Sequence, residues 1–177
     1  MKKIFLVFSL LAALVPALGR TENSTAPKTD RRGFFLGLDA GGGGNYFSDK
    51  KNRGAFTGGL VIGGGLNEKI LLMYEDSASI GLAKTTPTVG EGLFAAQFFL
   101  TSNYYVRPGI GFGSAETSSG TVTTATDIGF AAGLAAGYEF RLSKRFALSP
   151  EVKGHFLRAQ GVNYYDYGVV ADMRWYF

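Results

Sequence analysis

The chain of 177 residues has no cysteine, one tryptophan and a single histidine, His155. Without cysteine there can be no structural disulfide, no thiol nucleophile and no thiolate metal site. The same absence removes the lipid-bearing N-terminal cysteine of a lipoprotein. A large excess of charge is also lacking: 18 Lys and Arg stand against 14 Asp and Glu, a net charge of +4. Loss of Lys2 and Lys3 with the N-terminal segment would leave it near neutrality, so nucleic acid is not an expected partner. Long apolar runs are missing beyond residue 18, which excludes a membrane-spanning helix in the body of the chain. No metal-ligand cluster is visible in the sequence and no cofactor is expected. Two glycine runs, 41–44 and 63–65, are not followed by Gly-Lys-Ser/Thr, so neither is a phosphate-binding loop.

What is abundant is glycine (26 residues), phenylalanine (15) and tyrosine (9). The chain opens Met1-Lys2-Lys3, runs apolar from Ile4 to Leu18 and reaches small residues at Ala17-Leu18-Gly19. This is the pattern of a secretory signal peptide, residues 1–19. Residues 20–32 (RTENSTAPKTDRR) read as a flexible polar lead-in. The remainder, 33–177, suits one domain.

That remainder alternates with period 2, the mark of strands with one apolar and one polar face. Tyr167, Val169, Ala171, Met173, Trp175 and Phe177 form one wholly apolar face. Phe146 to Phe156, Ile128 to Phe140 and Tyr104 to Phe112 give three more. Weaker segments lie at 33–43, 54–66, 69–78 and 90–100. The count is about eight strands. Short connections fall at Asn67-Glu68, Thr101-Ser102-Asn103 and Leu142-Ser143-Lys144. Longer ones fall around 44–53, 78–90 and 114–126, with a briefer one near 159–163. Short and long alternate as periplasmic turns and external loops do in an outer-membrane barrel, which would place both termini in the periplasm. The expected fold is all-β: an eight-stranded antiparallel up-and-down transmembrane β-barrel.

Outward aromatics should then form two belts at the membrane interfaces. Phe34, Phe98, Tyr104, Tyr138, Phe140, Phe146, Trp175 and Phe177 are expected at the periplasmic end. Phe56, Tyr74, Phe94, Phe112, Phe130, Phe156 and Tyr167 are expected at the external end. The inward faces carry Asp39, Glu75, Arg107, Glu139, Glu151, Lys153, Asp172 and Arg174, with His155 beside them. An eight-stranded barrel is just wide enough for side chains to fill. These charges should pair into a lumen network and leave no open pore. Pro108 and Pro150 fall inside strands, where each removes a ladder donor, and local bulges are the expected remedy. The 114–126 segment reads as an ordinary polar loop, preferred, or as a hairpin prolonging its flanking strands.

The signal peptide, the segment YYVRPGIGFG (104–113) and the end YDYGVVADMRWYF resemble the small bacterial outer-membrane barrels: the OmpA-type transmembrane domain, the OmpX/Ail-like proteins and the opacity-type porin-family barrels. The resemblance implies a C-terminal signal for the barrel assembly machinery, carried here by Met173, Trp175 and Phe177. It implies outer-membrane lipid and lipopolysaccharide as surroundings, a possible host or surface ligand at the external loops, and a monomer. Four readings remain: a soluble secreted β-barrel and, within the membrane, a structural or surface-interaction barrel with a filled lumen, a small-solute porin, or a lipid A-modifying enzyme. The last would need a Ser/His/acid set at the membrane face. Alternation turns His155 into the lumen, its neighbours do not match the motif of such deacylases, and Ser149 is too far away. No enzymatic activity is expected.

Overall fold

The computed structural model describes residues 30–46, 52–82, 87–119 and 122–177. The segment read as a signal peptide, and the lead-in as far as residue 29, lie outside them. Ten strands follow in order: β1 (Gly33–Tyr46), β2 (Asn52–Gly65), β3 (Ile70–Gly81), β4 (Thr88–Phe99), β5 (Tyr104–Ser119), β6 (Val122–Ala125), β7 (Gly129–Tyr138), β8 (Phe140–Arg141), β9 (Phe146–Ala159) and β10 (Val162–Tyr176). No described residue is helical. β1 to β5 pair antiparallel in sequence order, β5 pairs with β6 and β7, β9 pairs with β7 and β8, and β10 pairs with both β9 and β1, which closes the sheet. β6, β7 and β8 are successive pieces of one stave, so the barrel has eight staves in up-and-down order.

The register defines the barrel's geometry. A path across the strands runs Trp175, Leu36, Ile62, Tyr74, Phe94, Ile110, Ala132, Phe156 and back to β10 at Tyr165. It returns ten residues from its start, a shear of ten for eight strands, and such a stagger inclines the strands by roughly 40° to the barrel axis.

At the end carrying both described termini, three turns share one local device. Asn67 Oδ1 accepts from the backbone N–H of Lys69 and Ile70 at 2.8 and 2.9 Å. Thr101 Oγ1 does the same for Asn103 and Tyr104, and Ser143 Oγ for Arg145 and Phe146. An Asn, Ser or Thr at the turn's second residue supplies an acceptor that the bent backbone would otherwise lack. At the far end β9 and β10 are joined by Gln160 and Gly161 alone, with φ of 50° and 76°, the left-handed pair a two-residue hairpin needs.

Several expectations change. The first four strands run two or three residues further at the far end, so Tyr46 pairs with Asn52 and the connections there are shorter than the sequence implied. The 114–126 segment is a hairpin: Glu116 to Ser119 pair with Val122 to Ala125. The β-branched Val122, Thr123 and Thr124 favour extension and outweigh the local polarity. The prolines are held without bulges. Pairing of β4 with β5 lapses between Ala95↔Gly109 and Phe98↔Val106, the stretch containing Pro108. Pairing along β9 lapses between Gly137↔Glu151 and Phe140↔Leu148, the stretch containing Pro150. In both places the ladder resumes in the same register. An inserted residue would have turned Arg107 or Glu151 out of the lumen; a simple lapse keeps each pointing inward.

The outward face carries exposed Leu38, Leu60, Ile62, Leu72, Ile110, Leu134 and Val169 around its middle. Phe34, Phe98, Phe140, Trp175 and Phe177 ring the terminal end; Phe56, Phe112, Phe130, Tyr165 and Tyr167 ring the far end. Tyr74 and Phe94, expected in the far ring, stack at 5.4 Å on the middle of the wall instead. They sit mid-strand because β3 and β4 run further toward the far end than their apolar runs indicated.

Candidate functional site

Among the described residues charged side chains converge in the lumen, which is built in three storeys. In the middle storey Arg107, from β5, reaches Glu75 Oε2 at 3.1 Å, Glu151 Oε1 at 2.7 Å and Asp172 Oδ2 at 3.4 Å. Lys153, from β9, bridges Asp39 at 2.9 Å and Glu75 at 3.2 Å. Arg174 closes on Asp172 from two positions along the same strand. Tyr105 donates its hydroxyl to Glu151 at 2.8 Å. All these side chains are buried. The cross-strand pairing sets Asp39 directly opposite Asp172. Like charges in that position repel, and the arrangement holds because Lys153 neutralises one while Arg107 and Arg174 neutralise the other. Seven of the eight lumen residues expected from sequence therefore meet in one cluster.

The eighth, Glu139, belongs to a separate storey at the terminal end. Arg31 donates from Nε to Glu139 Oε1 at 3.0 Å and from Nη1 to the Glu68 carbonyl at 2.8 Å, and its guanidinium lies 3.5 Å over the Phe99 ring. Tyr176 donates its hydroxyl to Glu139 Oε2 at 2.8 Å. Arg31 falls in the segment read as a flexible lead-in, yet it is 4% exposed and caps the floor of the barrel. It precedes the first strand, so no alternation pattern could have pointed to it.

The far storey holds His155, with Glu91 Oε2 at 2.7 Å and Asp166 Oδ1 at 3.4 Å from Nδ1. Glu91 and Asp166 share the inward parity of their strands, so alternation could have found both. Gly133 faces His155 across the β7–β9 ladder; a Cβ there would stand 2.7 Å from the imidazole Cδ2, so glycine makes room for the ring.

The storeys are not purely polar. Phe35, Val61, Leu71, Met73, Phe99, Tyr105 and Tyr176 pack as an apolar cluster near the terminal end. A second cluster of Val89, Leu93, Ala131 and Leu157, with neighbours, lines the far half. The sequence suggested a lumen filled by charge between glycines; the structure fills it with charge bracketed by two apolar plugs. Burial of this kind is net favourable only where each ion is paired and hydrogen-bonded. Asp76 departs from this placement of charge. It is exposed on the outer wall, beside Leu60 on β2 and Gly92 on β4.

A closed eight-stranded barrel with an apolar exterior and a charged, side-chain-filled interior is the fold of small bacterial outer-membrane barrels. Neisserial surface protein A shares it with a TM-score of 0.73 at 14% identity, over 81% of this chain and 97% of that one. Ail, the attachment invasion locus protein of Yersinia pestis, aligns with a TM-score of 0.55 at 14% identity, over 81% and 99% of the two chains. The N-terminal β-barrel domain of Pseudomonas aeruginosa OprF aligns with a TM-score of 0.52 at 12% identity, over 83% and 100%. No protein-family model matches the chain. No curated protein matches it by sequence.

Proposed function

We propose that the protein is an integral barrel of the bacterial outer membrane, with both termini in the periplasm, a structural or surface-interaction role and a largely non-conducting lumen. The observation that carries this reading is the contrast between the two faces. Aliphatic side chains lie exposed between two aromatic rings on the outside, while Arg107 and Lys153 are clamped by four carboxylates on the inside. Such an exterior suits lipid and lipopolysaccharide rather than water. Met173, Trp175 and Phe177, outward on the last strand, would be read by the barrel assembly machinery. The β5–β6 hairpin would stand outside the cell, where it could meet a host or surface ligand. We take the protein to act as a monomer and without catalytic activity.

The competing porin reading differs in one measurable way. In planar lipid bilayers the filled-lumen barrel should give no stable single-channel current in molar salt. Reproducible conductance steps from wild-type protein would replace this reading with a small-solute pore.

A further inference from the structure

The far storey of the lumen pairs His155 with Glu91 and Asp166 and leaves Glu91 Oε1 without a partner. Glu91 on β4, His155 on β9 and Asp166 on β10 present one donor atom each, all within 4.8 Å of one another, and all three side chains are buried. Among the described residues neither carboxylate oxygen of Glu91 nor Nδ1 of His155 completes a hydrogen bond, although Nδ1 stands only 2.7 Å from Glu91 Oε2. Buried polar atoms are rarely left so.

We propose that Glu91, His155 and Asp166 bind a single divalent transition-metal ion in the far half of the lumen. Donors about 2.0–2.2 Å from such an ion stand roughly 2.8–3.1 Å apart in an octahedral shell and about 3.3–3.6 Å apart in a tetrahedral one. The 3.4 Å from Nδ1 to Asp166 matches the tetrahedral spacing, and the 2.7 Å to Glu91 would have to open by a few tenths of an ångström or more to admit the ion. Two carboxylates and a neutral imidazole carry two negative charges, which a divalent ion balances. A nitrogen donor among oxygens favours Zn²⁺, Co²⁺ or Ni²⁺ over Mg²⁺ and Ca²⁺. β4 is not a neighbour of β9 or β10 in the sheet. An ion at this point would therefore tie opposite walls of the barrel together, and its remaining coordination positions would be filled by water.

The test uses the full barrel in detergent micelles, without an affinity tag, stripped with a chelator and titrated with Co²⁺ or Zn²⁺. His155 is the chain's one histidine, so an imidazole-ligated signal has a single source. Calorimetry should give one ion per barrel. Co²⁺ should produce a paramagnetically shifted imidazole N–H resonance. Zn²⁺ should raise the thermal midpoint in proportion to the logarithm of its concentration. His155→Gln should abolish the resonance and Glu91→Gln should weaken binding roughly tenfold or more, both in variants whose circular dichroism still shows the barrel. Absence of stoichiometric uptake by the wild type would overturn the proposal. So would uptake that survives His155→Gln, because the ion would then sit on surface carboxylates such as Asp76 or Asp127.

Discussion

Arg107 contacts three carboxylates contributed by three other strands, and none of its partners can be rehydrated if it leaves. Removing one member of a buried ion cluster costs about 3–5 kcal/mol, mostly the penalty of the charges left behind. Arg107→Ala should therefore lower the barrel's unfolding free energy by about that amount in a urea titration in lipid vesicles. A wild-type midpoint would mean the network adds nothing. Asp76 is the converse case. A lipid-facing acid on a barrel wall costs up to about 2 kcal/mol near mid-membrane. Asp76→Leu should thus stabilise the barrel in bilayers by about 1–2 kcal/mol while leaving its behaviour in the lumen unchanged; a loss of stability would show that Asp76 has a partner. Much of this scale was legible. Period 2 fixes which side of the wall a residue faces, so Asp39, Glu75, Arg107, Glu151, Lys153, Asp172 and Arg174 could all be assigned to the lumen. Their pairing could not, because Arg107 meets Glu75 and Asp172 across the interior, and those contacts depend on the register of the eight staves together. Arg31 lay beyond reach because it stands outside any strand.

Elements were legible where turn chemistry punctuates them. Asn67, Thr101 and Ser143 mark the three short turns, and each side chain accepts the two backbone N–H groups that the turn leaves free. Asn67→Ala removes the one acceptor of both bonds on an exposed turn, and should cost about 1 kcal/mol and slow refolding in vesicles. An unchanged refolding rate would show that the register is set elsewhere. The far ends were less legible. There the strands continue through residues of mixed polarity such as Asn45, Asn52 and Arg53, where pairing to a neighbour rather than local pattern decides the boundary. The prolines carry a similar lesson: each marks a local lapse of pairing, and the partner strand's own sequence gives no hint of it. Pro150 sits where β7 gives way to β8 across Glu139, so that the break and the inward acid share one position.

At the scale of the molecule, eight staves and a shear of ten define a cylinder whose bore holds the large, buried inward side chains. Glycine accommodates them. Gly137, for example, lies so close to the inward Tyr105 that a Cβ would fall 2.5 Å from its hydroxyl oxygen. The outside is read as a lipid surface and the inside as a plug, and both follow from the same alternation. The most direct test is electrophoretic and cellular. Unheated protein should migrate on a denaturing gel at a position different from the boiled protein, and the native form should co-fractionate with outer membranes. Soluble material whose mobility does not change on heating would contradict the account.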